Sequence, residues 1–451
     1  MNIVIMGGGK IGRLLCKEFS DSEHNVTLVD EDSEVVEDLL DRYDMNAVLG
    51  NGATYNTLME AGIAEADIFI AVADRDEINL VAAVICQQLS DAFTIARVRN
   101  PEYGKHLKWM REGFGVNLLI NPDMEAAHYI ARNLNFPAAK AVESFAHGHV
   151  NIVAVEVAAS SKIVGLSLMQ VRQKRANVLI CAIERQNQVV IPNGATRIEA
   201  GDILHLTGPL VEMNRFYHLL GVDSDRIDSV LVIGGNRITY YLISYLLPQH
   251  FRIKVIERDP AIAMRLADQY PEVTVILGDG TDQNILAEER RESYDCEISL
   301  TGIDEENIVA ALLAERAGVR KVMTKVSRPE MVDEIGGLGL QSVINPQLIS
   351  RDIILRHVRA LQNSQGSKVE ALYRLFNKKA ELLQFCVEEG AAICGISLHS
   401  LALKPGVLIA YIIRKGSVIY PDGSNAIYPD DRVIVVTTVL GCSDIDELLK
   451  N

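Results

Sequence analysis

The chain opens with Met1-Asn2-Ile3-Val4-Ile5-Met6-Gly7-Gly8-Gly9-Lys10-Ile11-Gly12, an apolar strand that runs directly into a G-x-G-x-x-G turn. Glycines at these positions allow a tight turn and close approach to a phosphate, and the following helix directs its free N–H groups to the same place. The next apolar stretch, residues 25–29, ends at Asp30, 23 residues after Gly7. Dinucleotide-binding folds place a carboxylate for the ribose hydroxyls about 20 residues beyond the turn. The order of strand, turn, helix, strand and acid therefore predicts a Rossmann-like nucleotide-binding lobe.

The glycine turn has two other interpretations. A phosphate-binding P-loop is excluded, because Lys10 is followed by Ile11 and not by serine or threonine. A glycine turn in an α/β domain that binds no ligand stays open as the alternative.

Composition limits the classes of function that the chain can have. Its length suggests about three or four domains, and a hydrophobic content of 48% is ample for packed cores. The net charge of −16 argues against a nucleic-acid partner, because phosphate binding needs concentrated positive charge. The seven cysteines include no C-x-x-C pair, so neither a disulfide framework nor a zinc site is expected. No apolar run approaches the roughly 18 residues of a membrane span, so we expect any membrane contact to go through a partner.

Apolar strands alternate with helical segments over the first third of the chain. Such strands, separated by helices, indicate a parallel sheet covered on both faces. After Phe136-Pro137 the stretch 150–206 is rich in strands and indicates a small α+β domain. Predicted strands of the first unit cover 46–49, 67–72, 94–99 and 116–120, and predicted helices cover 34–43, 54–61 and 123–135.

The whole pattern then begins again. The strand Ser229–Ile233 leads into Gly234-Gly235-Asn236-Arg237-Ile238-Thr239, and the next strand ends in Glu257, 227 residues after Asp30. Other landmarks recur at nearly the same distance, namely Gly50 and Gly278, Asn79 and Asn307, and Pro122 and Pro346. We therefore predict an α/β protein in which a Rossmann-like parallel-sheet domain followed by a small α+β domain is duplicated in tandem. The predicted boundaries are 1–138, 139–225, 226–365 and 366–451.

In the first lobe, the candidate ligand-binding residues lie at the carboxyl ends of the strands, where open parallel sheets bind ligands. Asp30 is assigned to the adenosine ribose and Arg97 to a phosphate, because a guanidinium matches phosphate oxygens. The alternative for Arg97 is a surface ion pair with Asp74 or Asp76. The remaining candidates are Gly7, Gly8, Gly9, Lys10, Ile11 and Gly12 in the phosphate turn, Asn51 and Gly52 beside the adenine, and Ala73 and Asp74 opposite the turn.

The carboxylate of Asp30 also bears on the choice of nucleotide. An anionic side chain favours a free 2′-hydroxyl and repels a 2′-phosphate, so NAD or NADH is preferred to the phosphorylated dinucleotides. ATP and ADP carry the same adenosine, so they stay open as competing ligands.

The second lobe departs from the fingerprint. Asn236 and Thr239 stand where the second and third glycines belong. We expect the Cβ of Asn236 to obstruct a pyrophosphate and Thr239 to loosen the packing of helix on strand. Glu257 keeps the ribose acceptor, and Lys325 occupies the place of Arg97. This lobe either binds an adenine nucleotide, with a different identity or affinity, or is a purely structural copy. Its candidate residues are Gly234, Asn236, Arg237, Ile238, Glu257, Gly278 and Asp279.

Catalysis is poorly supported by the sequence. No His-Asp or Lys-Tyr spacing repeats between the small domains, and no Ser/His/Asp order is readable. The stretch His147-Gly148-His149 has no counterpart in the second copy and is predicted to be a linker and not a metal site. We therefore expect neither catalytic residues nor a metal centre. The alternatives are an NAD-dependent oxidoreductase and a scaffold whose glycine turns no longer bind a ligand.

Taken together, these motifs resemble the RCK (KTN) family. They comprise the glycine turns with their terminal acids, the turns Gly50-Asn51-Gly52-Ala53 and Gly278-Asp279-Gly280-Thr281, the D-E-x-N-type helix starts and the I-N-P strand ends. The tandem arrangement without membrane spans is similar to the peripheral subunits of bacterial Trk potassium-uptake systems. Ala73 departs from the family, in which threonine or serine is common at that position.

The resemblance implies a cytosolic regulatory subunit that senses NAD, NADH, ATP or ADP and is not an enzyme. It implies a homotetramer that lies under a membrane potassium-translocating subunit of the TrkH or TrkG type, on the cytoplasmic face of the inner membrane. Helices 123–135 and 347–362 resemble the swapped interface helices of the family. The second has an apolar stripe, for which intradomain core is the alternative, consisting of Ile349, Ile353, Leu355 and Val358.

Overall fold

The computed structural model confirms the predicted duplication of a parallel-sheet domain and a small domain. It describes residues 1–22, 24–104, 106–145, 150–173, 178–186, 188–221, 226–335, 340, 342–363, 369–375, 379–442 and 444–450. Each of its four sheets lies between two of the predicted boundaries, which themselves stay predictions.

The first lobe is a six-stranded parallel sheet in the order β3-β2-β1-β4-β5-β6. Its strands are β1 (Asn2–Met6), β2 (Asn25–Asp30), β3 (Asn46–Leu49), β4 (Ile68–Ala71), β5 (Phe93–Arg97) and β6 (Leu118–Ile120). Its helices are α1 (Lys10–Ser20), α2 (Ser33–Arg42), α3 (Tyr55–Glu60), α4 (Asp76–Leu89), α5 (Pro101–Gly104), α6 (Leu107–Phe114) and α7 (Pro122–Leu134).

The order of these strands locates a crevice. Strands β2 and β3 follow β1 on one side of the sheet, and strands β5 and β6 follow β4 on the other side. The connections that leave β1 and β4 therefore run in opposite directions along the sheet. All four residues of β4 are buried, as expected for a central strand covered on both faces. Ligands of such sheets bind at the carboxyl ends of the strands where the order reverses. Gly7 and Ala73 lie at that point.

The first small domain is an antiparallel five-stranded sheet in the order β10-β9-β11-β8-β7. Its helices pack on a core that includes Phe216 and Tyr217. The strands are β7 (Ala141–Phe145), β8 (Val150–Glu156), β9 (Leu179–Arg185), β10 (Gln188–Val190) and β11 (Ile203–Thr207), and the helices are α8 (Leu168–Arg172) and α9 (Leu210–Leu220).

The second lobe repeats the first, with the parallel order β14-β13-β12-β15-β16-β17. Its strands are β12 (Ser229–Ile233), β13 (Arg252–Glu257), β14 (Thr274–Leu277), β15 (Cys296–Ser299), β16 (Lys321–Lys325) and β17 (Ser342–Ile344). Its helices are α10 (Arg237–Leu246), α11 (Pro260–Gln269), α12 (Gln283–Glu288), α13 (Asp304–Arg316), α14 (Pro329–Ile335) and α15 (Pro346–Asn363). Along α15, Leu355 and Val358 are buried within the single chain, while Ile349 and Ile353 are half-buried.

The second small domain has an antiparallel sheet in the order β18-β19-β22-β20-β21. Its strands are β18 (Val369–Leu375), β19 (Ala380–Cys386), β20 (Val407–Arg414), β21 (Ser417–Ile419) and β22 (Arg432–Thr437). Every helix in the described parts of the chain is too short or too polar to cross a bilayer.

The four domains form two compact units. Met1–Ala131 and Ile227–Leu355 form one compact unit, which contains both parallel sheets. The small domains form the other unit, in which Cys181 and Ile152 of the first share a buried cluster with Leu382 and Tyr411 of the second.

Candidate nucleotide-binding sites

The carboxylate of Asp30 lies against the glycine turn of the first lobe. The backbone N–H of Gly8 donates to Asp30 Oδ2 at 2.6 Å. The second oxygen, Oδ1, accepts from the N–H of Asp32 at 2.9 Å. Strand β2 thus brings the predicted ribose acceptor to the predicted phosphate turn, although the two are 22 residues apart in sequence.

Three glycines of this turn have different roles. Gly7 has φ +101°, and a Cβ there would stand 2.6 Å from the backbone nitrogen of Ala73. A Cβ on Gly12 would stand 1.9 Å from the carbonyl oxygen of Gly7. These two glycines are therefore required by the protein's own packing. Beside Gly9, in contrast, there is nothing within 4 Å of a Cβ position.

The open space beside Gly9 lies at the N-terminus of α1, where Gly9 is the N-cap and no side chain caps the helix. The first N–H groups of a helix lack partners within the helix and attract anions. Lys10, the first residue of α1, is exposed at the same place. The arrangement fits a phosphate group, which these N–H groups and Lys10 would hold, while the buried side chain of Ile11 packs in the core.

Two other predicted residues shape the neighbouring loop. Asn51 Oδ1 accepts from the N–H of Ala53 at 2.8 Å, which holds the loop in a turn. A Cβ on Gly52 would stand 2.4 Å from the sulfur of Met6, so the methionine side chain would have to move if this residue were larger. The same edge of the sheet therefore carries Asn51, Gly52 and Asp30.

Arg97 ends β5 and is only 7% exposed. Its Nη2 donates to the carbonyl of Ala73 at 2.5 Å and lies 3.3 Å from Asp74 Oδ1. Asp76 instead accepts from the N–H groups of Arg99 and Asn100, both at 2.8 Å. The ion pair predicted as the alternative is thus present, and its partner is Asp74.

The pairing of Arg97 leaves part of the guanidinium without a partner. Burial, with a smaller effect of nearby Arg99, lowers the pKa of Arg97, and Asp74 acts in the opposite direction. Its Nε makes no hydrogen bond among the described residues. An unpaired buried donor is costly, and a phosphate oxygen is one group that could satisfy it.

In the second lobe a cleft of about 270 Å³ opens at the equivalent edge of the sheet. It brings together four of the seven predicted residues, Gly234, Asn236, Glu257 and Asp279. The other three do not line it. Arg237 Nε donates to Asp123 Oδ2 of the first lobe at 3.0 Å, Ile238 is buried in the core, and a Cβ on Gly278 would contact Ile285.

Glu257 repeats the arrangement of Asp30. Its Oε2 accepts from the N–H of Gly235, and its Oε1 accepts from the N–H of Asp259 at 2.7 Å. Only 8% of Glu257 is exposed. The second lobe therefore keeps the predicted ribose acceptor in place.

The glycine turn of the second lobe differs from what the sequence predicts. Asn236 caps α10, and its Oδ1 accepts from the N–H groups of Ile238 at 2.9 Å and Thr239 at 3.3 Å, while its Nδ2 donates to the carbonyl of Leu300. Thr239 is fully buried, and its hydroxyl donates to the carbonyl of Gly234 at 2.5 Å. The expectation that Thr239 loosens the packing is wrong, because this hydrogen bond ties the helix to the turn.

Two further predicted positions have local partners. Asp279 Oδ1 accepts from the N–H of Thr281 at 2.9 Å, and this bond is the main reason why the pKa of Asp279 is lowered. Lys325 takes the position of Arg97, and its Nζ donates to the carbonyl of Thr301 at 2.6 Å. Burial lowers the pKa of Lys325.

Asn79 and Asn307, which are repeat landmarks in the sequence, have a structural role that their local sequence context does not indicate. The Nδ2 of Asn79 donates to the carbonyls of Ala73 and Arg97, at 2.9 Å and 3.0 Å. Asn307 makes the same bridge to Thr301 and Lys325. These asparagines join two strand ends at the crevice, and their recurrence at a constant offset was the signal that could have indicated this role.

Among the described residues there is no group of three or more His, Cys, Asp or Glu side chains that could hold a metal ion. The stretch 147–149, predicted to be a linker, lies outside the described residues.

Comparisons with known proteins give the family and the fold of the chain. Residues 3–122 and 230–346 match the TrkA-N domain, and residues 152–221 match the TrkA-C domain. The chain is 30% identical to the Trk system potassium uptake protein TrkA of Vibrio alginolyticus, over 100% of this chain and 99% of that protein. The solved structure of the GsuK RCK domain has a TM-score of 0.62 at 17% identity, and covers 97% of this chain and 92% of its own. The GsuK channel bound to NAD has a TM-score of 0.61 at 18% identity, over 97% and 77% of the two chains.

Proposed function

The chain belongs to the TrkA family of Trk-system potassium uptake proteins, as its sequence motifs predicted, and on that premise we propose that it is a nucleotide-sensing regulatory subunit. It binds an adenine nucleotide in the first lobe and does so without turnover. Through this binding it gates a membrane potassium-translocating subunit of the TrkH or TrkG type.

The observation that carries the proposal is the hydrogen bond from Gly8 N–H to the carboxylate of Asp30. This bond holds a carboxylate next to a turn whose helix N-terminus has no side-chain cap, which supports a role for Asp30 as acceptor for the ribose diol. The phosphates would rest on α1 beside Gly9 and Lys10, with Arg97 offering its unpaired Nε from the opposite side of the crevice. The adenine would lie near Asn51 and Gly52.

Four ligands satisfy this arrangement. NAD and NADH carry the free 2′-hydroxyl that an anionic Asp30 favours, and ATP and ADP carry the same adenosine and compete with them. That the fold can hold a dinucleotide is supported by the GsuK channel, a structural neighbour solved with NAD bound.

Gating requires that the ligand distinguish between two shapes of the assembly. We propose a homotetramer at the cytoplasmic face of the inner membrane, held there by its membrane partner. A nucleotide that bound both shapes equally would shift nothing. A coupling of about 1–3 kcal/mol between nucleotide and pore is typical of such linkage.

Ligand-dependent melting tests the proposal. At a nucleotide concentration of about 100 times Kd, binding stabilises the folded state by about 2.7 kcal/mol, which raises the melting temperature by several degrees. We expect this shift with NADH, ADP and ATP in the wild-type chain and its loss in Asp30→Ala. Asp41→Ala, which removes an exposed carboxylate from α2, is the matched control and should keep the full shift.

Two outcomes would contradict the proposal. If millimolar nucleotide left the wild-type melting curve unchanged, the glycine turn would belong to a scaffold that binds no ligand. If NADH were oxidised or NAD reduced at a steady rate in the presence of a substrate, the chain would be an NAD-dependent oxidoreductase.

A further inference from the structure

The cleft of the second lobe combines an intact ribose end with a closed phosphate end. At the ribose end, Glu257 is buried and fixed by Gly235 and Asp259, as Asp30 is fixed in the first lobe. At the phosphate end, Asn236 replaces the glycine beside which the first lobe has open space. The two copies therefore differ mainly in what they offer to a phosphate group.

Asn236 occupies the N–H groups that a pyrophosphate would need. Its Oδ1 accepts from Ile238 and Thr239, both in the first turn of α10. An N-cap side chain satisfies the same unpaired donors that bind anions at a helix N-terminus. The Nδ2 of Asn236 is also held, by the carbonyl of Leu300. A phosphate could reach these donors only by displacing a side chain that is bonded at both ends.

The cation of the glycine turn is another difference between the two copies. Lys10 is exposed beside the first turn, whereas its repeat, Arg237, pairs with Asp123 of the first lobe. The carboxylates do not distinguish the copies. Glu257, Asp259, Asp279 and Glu306 line the second cleft together with the cation Arg258, and the aligned positions of the first lobe carry Asp30, Glu31, Asp32 and Asp74.

We propose that the second-lobe cleft binds unphosphorylated adenosine, with the ribose diol on Glu257, and selects against AMP, dinucleotides and nucleoside di- and triphosphates. This inference rests on the proposed function only in taking adenosine recognition from the first lobe. It gives the two copies different ligands: the first binds the pyrophosphate-bearing nucleotides and the second binds the nucleoside without a phosphate.

Calorimetric titration of the full-length chain tests the selectivity. The first-lobe site is removed by Asp30→Ala, and adenosine, AMP, ADP and NADH are titrated separately. We expect adenosine to bind at about one equivalent per chain, and AMP, ADP and NADH to bind at least about tenfold more weakly than adenosine. Adding Glu257→Gln should abolish the adenosine signal, which assigns it to the second lobe.

Two substitutions of Asn236 test the cause of the selectivity. In the Asp30→Ala background, Asn236→Gly opens the helix N-terminus, and AMP, ADP and NADH should bind about tenfold or more tightly, while adenosine changes by less than about twofold. Asn236→Asp keeps the oxygen that accepts from Ile238 and Thr239 and loses only the bond to Leu300, and it should weaken ADP further without changing adenosine.

The outcomes separate this inference from the proposed function. It is overturned if AMP, ADP or NADH binds the Asp30→Ala chain as tightly as adenosine at a site that Glu257→Gln removes, or if no adenosine binding depends on Glu257. A failure of the proposed function appears elsewhere, as a wild-type chain that binds no more NADH or ATP than Asp30→Ala does.

Discussion

The two parallel-sheet lobes are joined by a buried hydrogen bond whose contribution can be measured. Asn121 Nδ2 donates to the hydroxyl of Tyr241 at 2.8 Å, and the two residues are 0% and 5% exposed. The amide oxygen of Asn121, Oδ1, accepts from the N–H of Met124 at 3.0 Å. A flip of the amide group by 180° would lose that bond. Tyr241→Phe would therefore leave a buried donor unsatisfied, at a cost of about 1–3 kcal/mol.

The equivalent asparagine of the second lobe indicates where in this range the cost of Tyr241→Phe should lie. Asn345, the repeat of Asn121, accepts from Leu348 N–H at 2.8 Å, but its Nδ2 has no hydrogen-bond partner in the described part of the chain. The chain thus already tolerates one unsatisfied amide donor of this kind. We expect Tyr241→Phe to fall in the lower half of the range.

Differential scanning calorimetry without nucleotide provides the test. For a folding unit of roughly 250 residues, each kcal/mol lowers the melting temperature by about 2–4 °C. The control is Tyr240→Phe, which removes an exposed hydroxyl that accepts from Gln269 Nε2 and should change stability by no more than about 0.5 kcal/mol. If the two variants melted within about 1 °C of each other, the bond between Asn121 and Tyr241 would contribute nothing and the reasoning would fail.

Two other predictions concern charged groups that are buried. Arg185 forms a bidentate ion pair with Asp202, and Arg414 forms one with Asp431. All four N–O distances are between 2.7 and 2.8 Å. Asp202→Asn and Asp431→Asn should each cost about 1.5–3 kcal/mol in urea unfolding, nearer the lower value because the guanidinium groups stay partly exposed; wild-type midpoints in both variants would contradict this. Burial lowers the pKa of Lys321 from 10.5 to about 8, so between these values the unfolded chain binds more protons and stability rises with pH, by at most about 1.4 kcal/mol per unit. Lys321→Met should remove that rise when unfolding midpoints are compared from about pH 8 to about pH 10, and parallel pH profiles for the two proteins would refute the assignment.

The secondary structure could be predicted closely because it depends on local periodicity. The helix predicted over 34–43 is Ser33–Arg42, and the strand predicted over 46–49 is Asn46–Leu49. The strand predicted over 116–120 begins later, at Leu118, since strand ends depend on pairing with a neighbour. That the candidate residues meet at one edge of each sheet could be predicted as well, because the carboxyl ends of parallel strands lie at the same edge.

The contacts of individual side chains could not be predicted in the same way. Asn236 and Thr239 were recognised as departures from the glycine pattern, but whether each obstructs or bonds depends on the carbonyls of Leu300 and Gly234, which only the folded chain brings near. Arg237 was assigned to the turn because of its place in the sequence. Its Nε lies 3.0 Å from Asp123, 114 residues away, and no local pattern indicates such a partner.

The repeat itself offered one signal that was not used. Arg185 with Asp202 and Arg414 with Asp431 are equivalent pairs in the two small domains, each 17 residues apart. Aligning the charged residues of the two copies, as was done for the glycines, would have picked out both pairs.

Side-chain contacts join the helix that begins at the second glycine turn to the first lobe. Arg237 and Tyr241 lie on α10, the helix that begins at the second glycine turn, and they bond to Asp123 and Asn121 at the end of β6 and the start of α7 in the first lobe. Asp123 also lies 3.6 Å from Arg99. The backbone N–H of Arg99, two residues after Arg97 in sequence, donates to Asp76. A ligand that displaced α10 would therefore have to break or carry with it bonds that reach the strand end bearing Arg97. If a nucleotide in one lobe changes the affinity of the other lobe, linkage requires the same factor in the reverse direction, and we expect these bonds to carry that coupling.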